Sequence, residues 1–216
     1  PVIQTFFVDE DIQSQLALDA VITVVDSKHI WQHWDSDEAQ EQIAFADVIL
    51  LNKTDLVTEA ELAELERRIL DMNAMVKIHR TQNSELAIDS ILGVKAFDLD
   101  RALQVDPEFL NEDAHEHDES VYSFAIVEEQ PLDGEKLSAW VNSLLQTKGP
   151  DIFRMKGILN LAGDANRYVF QGVHMIFDGR SDRPWKPEES RRSELVFIGR
   201  NLNEAELRKG FRACLA

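Results

Sequence analysis

The 216 residues carry 22 Lys and Arg against 40 Asp and Glu, a formal net charge of −18, and 44% are hydrophobic. That length and apolar share suffice for one large domain or two small ones. The acidity argues against a nucleic-acid interface or an anionic membrane surface, each of which needs a local excess of Lys and Arg.

No run approaches the roughly 20 apolar residues of a membrane helix. The single cysteine, Cys214, excludes an internal disulfide and a cysteine-only zinc site, and fits a reducing compartment. The expectation is a cytoplasmic protein. The opening Pro1-Val2-Ile3-Gln4-Thr5-Phe6-Phe7 reads as the middle of a fold, which predicts a processed or truncated start.

The first segment alternates strands and helices. Ala20-Val21-Ile22-Thr23-Val24-Val25 is a β-branched run ending in Asp26, the pattern of a strand buried on both faces. A helix is predicted from Ser36, a candidate N-cap, to Phe45, and then a second strand over Asp47-Val48-Ile49-Leu50-Leu51. Thr58 with Glu61 three residues later is a capping box, and Leu62, Leu65 and Ile69 repeat along one side of the helix it opens. Met75 to His79 is a third short strand. Strand–helix–strand–helix–strand predicts part of a parallel sheet wrapped by helices, about half of a doubly wound domain.

Apolar periodicity fades from Phe97 to Ser120. Residues 111–119 hold five carboxylates, with His115 and His117 among them, so an exposed acidic linker is predicted. The expected organisation is a first domain over 1–97, a linker over 98–119 and a second domain over 120–216.

The second domain begins with a strand over Val121 to Val127. Its first helix places Leu137, Trp140, Val141, Leu144 and Leu145 on one stripe and ends at Gly149-Pro150. Ile152 to Leu161, Arg167 to Val173, His174 to Phe177 and Glu194 to Ile198 read as strands, with a hairpin turn at Gly163-Asp164-Ala165-Asn166. Asn203 caps a last helix carrying Leu207, Phe211 and Leu215 on one side. An antiparallel sheet covered on one face by two helices is the prediction.

The sharpest motif is Asn52-Lys53-Thr54-Asp55, directly after an apolar strand. Guanine offers two adjacent donors, its ring N–H and its exocyclic amine. The two oxygens of Asp55 match them and match adenine poorly. Lys53 could lay its alkyl stem along the base, and Asn52 could bond the base and neighbouring loops. Open parallel sheets bind ligands at the carboxyl ends of their strands, which is where this motif falls. The bland alternative is a strand-end turn that leads into the Thr58 helix.

A phosphate-cradling loop G-x-x-x-x-G-K-S/T needs two glycines five apart. The nine glycines stand at 93, 134, 149, 157, 163, 172, 179, 199 and 210, and no pair is so spaced. The chain therefore carries a base-reading element without a triphosphate cradle. By itself it is not expected to hydrolyse GTP, because phosphoryl transfer is largely positioning and electrostatics.

Nearly the whole chain resembles the CobW-type family of metal-chaperone GTPases, beginning partway through the nucleotide domain. Val24-Val25-Asp26 and Asn52-Lys53-Thr54-Asp55 match the second half of that domain. Phe170-Gln171-Gly172-Val173-His174, Arg183-Pro184-Trp185 and Leu195-Val196-Phe197-Ile198-Gly199-Arg200 match its C-terminal domain. The resemblance implies an α/β GTPase segment, partial and of the phosphate-loop type, followed by an α+β domain. It implies GTP with Mg²⁺, zinc or cobalt as the transition metal carried, and a client metalloprotein as partner. The family's phosphate loop, Cys-x-Cys-Cys motif and acidic switch residue would all lie upstream of Pro1.

His115-Glu116-His117-Asp118 is the remaining metal candidate, since neutral imidazoles and carboxylates suit Zn²⁺ and residues two apart in an extended segment point the same way. Two histidines make half a tetrahedral site, so an incidental pair in a solvated linker competes with that reading.

Other residues read more plainly. Asp26 is expected to cap a strand end, and His29, Trp31, His33 and Trp34 to form a loop or helix-face cluster. Thr81-Gln82-Asn83 falls where a second base-contacting loop would lie. His174 is expected in the core or at an edge, Arg180, Arg183, Arg191 and Arg192 in charge pairs around Trp185, and Cys214 in packing. Two functions compete: part of a GTP-dependent metal chaperone, and a stand-alone metal-binding or docking module. Self-association through exposed sheet edges would favour the first.

Overall fold

The computed structural model describes residues 12, 15, 16, 18–94, 121–173 and 176–216, and the chain divides into two compact units. In the first, β1 (Ile22–Asp26), β2 (Val48–Asn52) and β3 (Lys77–Arg80) form a parallel sheet in the order β1-β2-β3. Helices α1 (Asp37–Phe45) and α2 (Glu59–Met72) connect them. Parallel neighbours need such crossovers, because a hairpin cannot join them.

Residues Val48, Ile49, Leu50 and Leu51 are all buried, as a central strand between two partners requires. Both predicted caps form. Ser36 Oγ accepts from Ala39 N, and Thr58 accepts from Glu61 N while the Glu61 carboxylate accepts from Thr58 N. The third strand begins two residues later than predicted, because Asn73 to Val76 make the turn that ends α2.

The register decides what meets at the carboxyl end of this sheet. Asp26 stands opposite Asn52, the last residue of β2, and Leu51 stands opposite Arg80. The segments after all three strands therefore converge at one end.

The second unit is a five-stranded sheet, ordered β4-β8-β5-β6-β7, of β4 (Val121–Glu128), β5 (Ile152–Leu159), β6 (Asn166–Val173), β7 (Ile176–Pro184) and β8 (Ser193–Arg200). The pairs β5–β6, β5–β8 and β6–β7 are antiparallel. Helix α3 (Gly134–Lys148) starts at Asp133, whose carboxylate accepts from Glu135 N and Lys136 N, and α4 (Glu204–Arg212) starts at Asn203.

Trp140 of α3 meets Phe197 of β8 edge-on and leans on Phe211 of α4, and Phe197 stacks on Phe124. At the helix crossing, a Cβ on Gly210 would lie 2.3 Å from Trp140 Nε1, so only glycine admits that approach. Cys214 is buried, its Sγ donates to Gly210 O, and burial pushes its thiol pKa up, as a packing cysteine requires.

The main difference from the sequence reading lies in β7. The expected strand stops at Phe177, and the observed one runs to Pro184. The added residues Asp178-Gly179-Arg180-Ser181-Asp182-Arg183 lack apolar alternation, and they are extended because Asp178 to Ser181 are registered one by one against β6 and, past an irregularity in the pairing, Pro184 stands opposite Asn166. Of the four arginines expected in charge pairs, Arg183 and Arg192 find acidic partners nearby. Arg167 pairs with Asp182, Arg183 with Glu189 and Arg192 with Glu194, and Arg191 lies over the Trp185 ring. The Arg183 guanidinium holds the Glu189 carboxyl down to about 2. His174 lies outside the described residues.

Candidate functional site

The Asn52-Lys53-Thr54-Asp55 loop leaves β2 through a left-handed residue. Lys53 has φ 62° and ψ 35°, and a short 3-10 turn, Thr54–Leu56, follows at once. A non-glycine residue in that region is strained and persists only where its surroundings hold it.

Three ties do so here. Lys53 Nζ donates to Asp26 Oδ2 at 2.7 Å. Thr54 donates to Thr81 O through both its N–H (3.3 Å) and its hydroxyl (3.1 Å). Asn52 Oδ1 accepts from Ser84 N at 2.8 Å and from the Thr81 hydroxyl at 3.3 Å. The loop after β2 is thus pinned to the loops after β1 and β3.

Asp55 is different. It is exposed, and among the described residues its carboxylate has no hydrogen-bond or ion-pair partner. Two acceptor atoms stand free on a turn whose backbone is held from both sides. That arrangement suits a planar ligand edge with two neighbouring donors.

Asp26 does more than cap a strand. Its Oδ1 accepts from Lys28 N and His29 N, both at 3.1 Å, while Oδ2 takes Lys53 Nζ and His29 Nδ1 at 3.0 Å. Lys53 foremost, and then His29, hold its carboxyl far below the usual carboxylate range. The sequence reading found the cap and missed the link to Lys53. The two residues are 27 apart, and only the strand register joins them.

The loop after β3 lies where the positional argument put it. Asn83 (φ 50°) and Ser84 (φ 57°) are also left-handed, and Ser84 is the residue tied to Asn52. His29 and His33 line an open groove of about 420 Å³ beside β1 and α1, together with Asp26 and Gln42. Trp31 and Trp34 lie 5.4 Å apart by ring centroids, with the Arg68 guanidinium over both. Among the described residues no group of three or more His, Cys, Asp and Glu is placed to hold a metal. His115 and His117 lie outside the described residues, and so does the Pro1-to-Phe7 stretch. No helix among the described residues is long and apolar enough to cross a membrane.

A parallel sheet with this loop at the carboxyl end of its central strand, and a separate antiparallel α+β unit, define a protein with a nucleotide-binding-type α/β domain. The family model described as "CobW/HypB/UreG, nucleotide-binding domain" matches residues 1–80, and "Cobalamin synthesis protein cobW C-terminal domain" matches 121–215. The chain is 33% identical to the zinc chaperone YjiA of Escherichia coli over 98% of its own length and 65% of that protein's. It is 32% identical to the zinc-regulated GTPase metalloprotein activator 1 of Schizosaccharomyces pombe over 94% of its length and 58% of that protein's. The crystal structure of zinc-bound YjiA GTPase from E. coli matches all of this chain and 67% of that one, with TM-score 0.81 at 29% identity. The chain belongs to the CobW-type metallochaperone GTPase family. It spans less than two thirds of the length of these two curated relatives.

Proposed function

We propose that this chain is the guanine-reading segment and C-terminal domain of a GTP-dependent metal chaperone that delivers zinc, or a similar transition metal, to a client metalloprotein. The observation that carries the reading is the free carboxylate of Asp55 on a turn pinned at the carboxyl end of β2. In this scheme Asp55 accepts the two guanine donors, the alkyl stem of Lys53 flanks the base, and Asn52 ties the base-binding loop to the loop after β3. The names of the E. coli and S. pombe relatives support zinc and GTP as the pair of ligands.

The phosphate-binding loop, and the Mg²⁺ it would hold with the triphosphate, would come from sequence outside these 216 residues. Asp26 does not fit a Mg²⁺ ligand, because both its oxygens are engaged by Lys53, His29 and two backbone N–H groups. Its role is within the loop system. His115 and His117 would hold metal in an exchangeable way on the linker between a nucleotide domain over 1–97 and a C-terminal domain over 120–216, in a cytoplasmic setting. Loss of a Zn²⁺ response on replacing both histidines by Ala would support that assignment, and an unchanged response would remove it.

Base recognition is tested by titrating the chain with GMP, AMP and XMP and following backbone amide signals. GMP should move the signals of residues 52–55 and 81–84, and AMP should not. Asp55→Asn exchanges one acceptor for a donor. Xanthine carries a carbonyl where guanine carries its amine, so the variant should prefer XMP. Losing one charge-assisted hydrogen bond is worth about 1.5–3 kcal/mol, or roughly ten- to hundredfold in affinity. Equal responses to GMP and AMP in the unaltered chain, or an unchanged preference in Asp55→Asn, would refute the reading.

A further inference from the structure

The placement of Asp26 goes beyond a strand cap and deepens the guanine reading, on which it rests. Lys53 is the strained residue of the loop, and Asp55 follows it by two positions on the turn that Lys53 opens. The dihedral angles of Lys53 therefore set the direction in which the Asp55 carboxylate leaves the sheet. On one side the turn is held through Thr54 by Thr81. On the other side, the side-chain contact that the structure gives Lys53 is its ammonium on Asp26 Oδ2.

Asp26 is a rigid anchor. It stands in register opposite Asn52, two backbone N–H groups fix its Oδ1, and His29 Nδ1 shares its Oδ2. Such a charge-assisted bond from a half-exposed lysine is modest as a source of stability and strong as a geometric constraint. It directs the lysine's ammonium to the end of β1.

We propose that Asp26 is a positioning residue for guanine recognition. It holds Lys53, and through Lys53 it aims Asp55, while His29 holds Asp26 in turn. Base selectivity then depends on a residue that touches no base, one strand away from the motif.

The test is a double-mutant cycle on the 216-residue chain, read as GMP affinity and as the GMP-to-AMP preference from amide shifts, with thermal melting as a check on folding. Asp26→Asn keeps the shape and an oxygen for the N–H groups of Lys28 and His29, and removes the negative charge that faces the Lys53 ammonium. It should weaken GMP binding at least threefold and lower the preference over AMP. Lys53→Met keeps an alkyl stem and loses the ammonium. The double variant should bind no more weakly than Lys53→Met, because Asp26 acts only through the ammonium. Asp26→Ser, which keeps an acceptor for the turn, should repeat the loss and serves if the asparagine variant does not fold.

An Asp26→Asn chain that binds GMP as the unaltered chain does would overturn the proposal. So would losses that multiply in the double variant, since Asp26 would then act independently of Lys53. A failure of the unaltered chain to prefer GMP over AMP overturns the guanine reading itself, and this inference with it. The two failures are thereby told apart.

Discussion

Asn52→Ala isolates the tie between the two loops at the carboxyl end of the parallel sheet. Asn52 Oδ1 accepts one well-formed bond from Ser84 N at 2.8 Å, and a long one of 3.3 Å from the Thr81 hydroxyl. A single neutral hydrogen bond contributes about 1 kcal/mol net. Ser84 is exposed, so water replaces the lost acceptor and no full burial penalty is added. The long Thr81 bond adds little, because hydroxyl bonds beyond about 3.0 Å are weak.

The bond does, however, hold Asn83 and Ser84, two successive left-handed residues without a glycine between them. About 1 kcal/mol corresponds to roughly a fivefold rise in the open population of that loop, and to a fall in melting temperature of about 4–8 °C if the first unit unfolds as a unit of its own. Amide hydrogen exchange at Ser84 reads the first quantity and thermal melting reads the second. Asn52→Asp keeps an oxygen at the same reach and should lose less than half as much. Unchanged Ser84 exchange in Asn52→Ala, or an Asp variant as impaired as the Ala variant, would refute the assignment of this bond as the tie.

Three further outcomes are expected. Asn73 is fully buried, and its Nδ2 is shared among the carbonyls of Ile43 and Ala46 at 2.9 Å and Ala44 at 3.3 Å. Asn73→Ala removes a buried donor that these carbonyls share, so the urea midpoint should fall by the equivalent of about 1–3 kcal/mol. His79 has its Nε2 buried without a hydrogen-bond partner, and burial first, then Lys77, lowers its pKa below 6.5. The unfolded chain therefore takes up the proton first, and stability present above pH 6.5 is lost as pH falls toward the lowered value; melts from pH 7.5 to 5.5 should show this and His79→Gln should flatten it. A Cβ on Gly157 would lie 2.5 Å from Glu194 O and 3.1 Å from Leu195 Cα, backbone that cannot swing away, so Gly157→Ala should part β5 from β8 and sharply lower the melting temperature of the second unit.

Local chemistry wrote much of this fold into the chain. The caps at Ser36, Thr58 and Asn203 form as read, because a cap is completed by residues within three positions of it. The apolar run of β2 and the stripe on α3 are periodic signals of the same short range, whereas β1, expected to be buried on both faces, leaves Ile22 and Val24 exposed. The Asn52-to-Asp55 motif could be placed at a strand end for that reason too.

What the sequence could not disclose depends on partners far along the chain. The polar half of β7 is a strand because β6 lies beside it, so no pattern within those residues marks it. Trp34, expected in a loop or helix-face cluster with Trp31, is buried, which its local pattern does not mark. Most consequentially, Asp26 meets Lys53 because two parallel strands settle with Asp26 opposite Asn52. A shift of one residue would turn every side chain of β1 to the other face and undo that contact. The sequence by itself determined which residues are candidates to meet a base. The tertiary structure decided which of them carries free acceptors and which are tied to one another, because register, unlike capping or periodicity, is settled only when the strands pack.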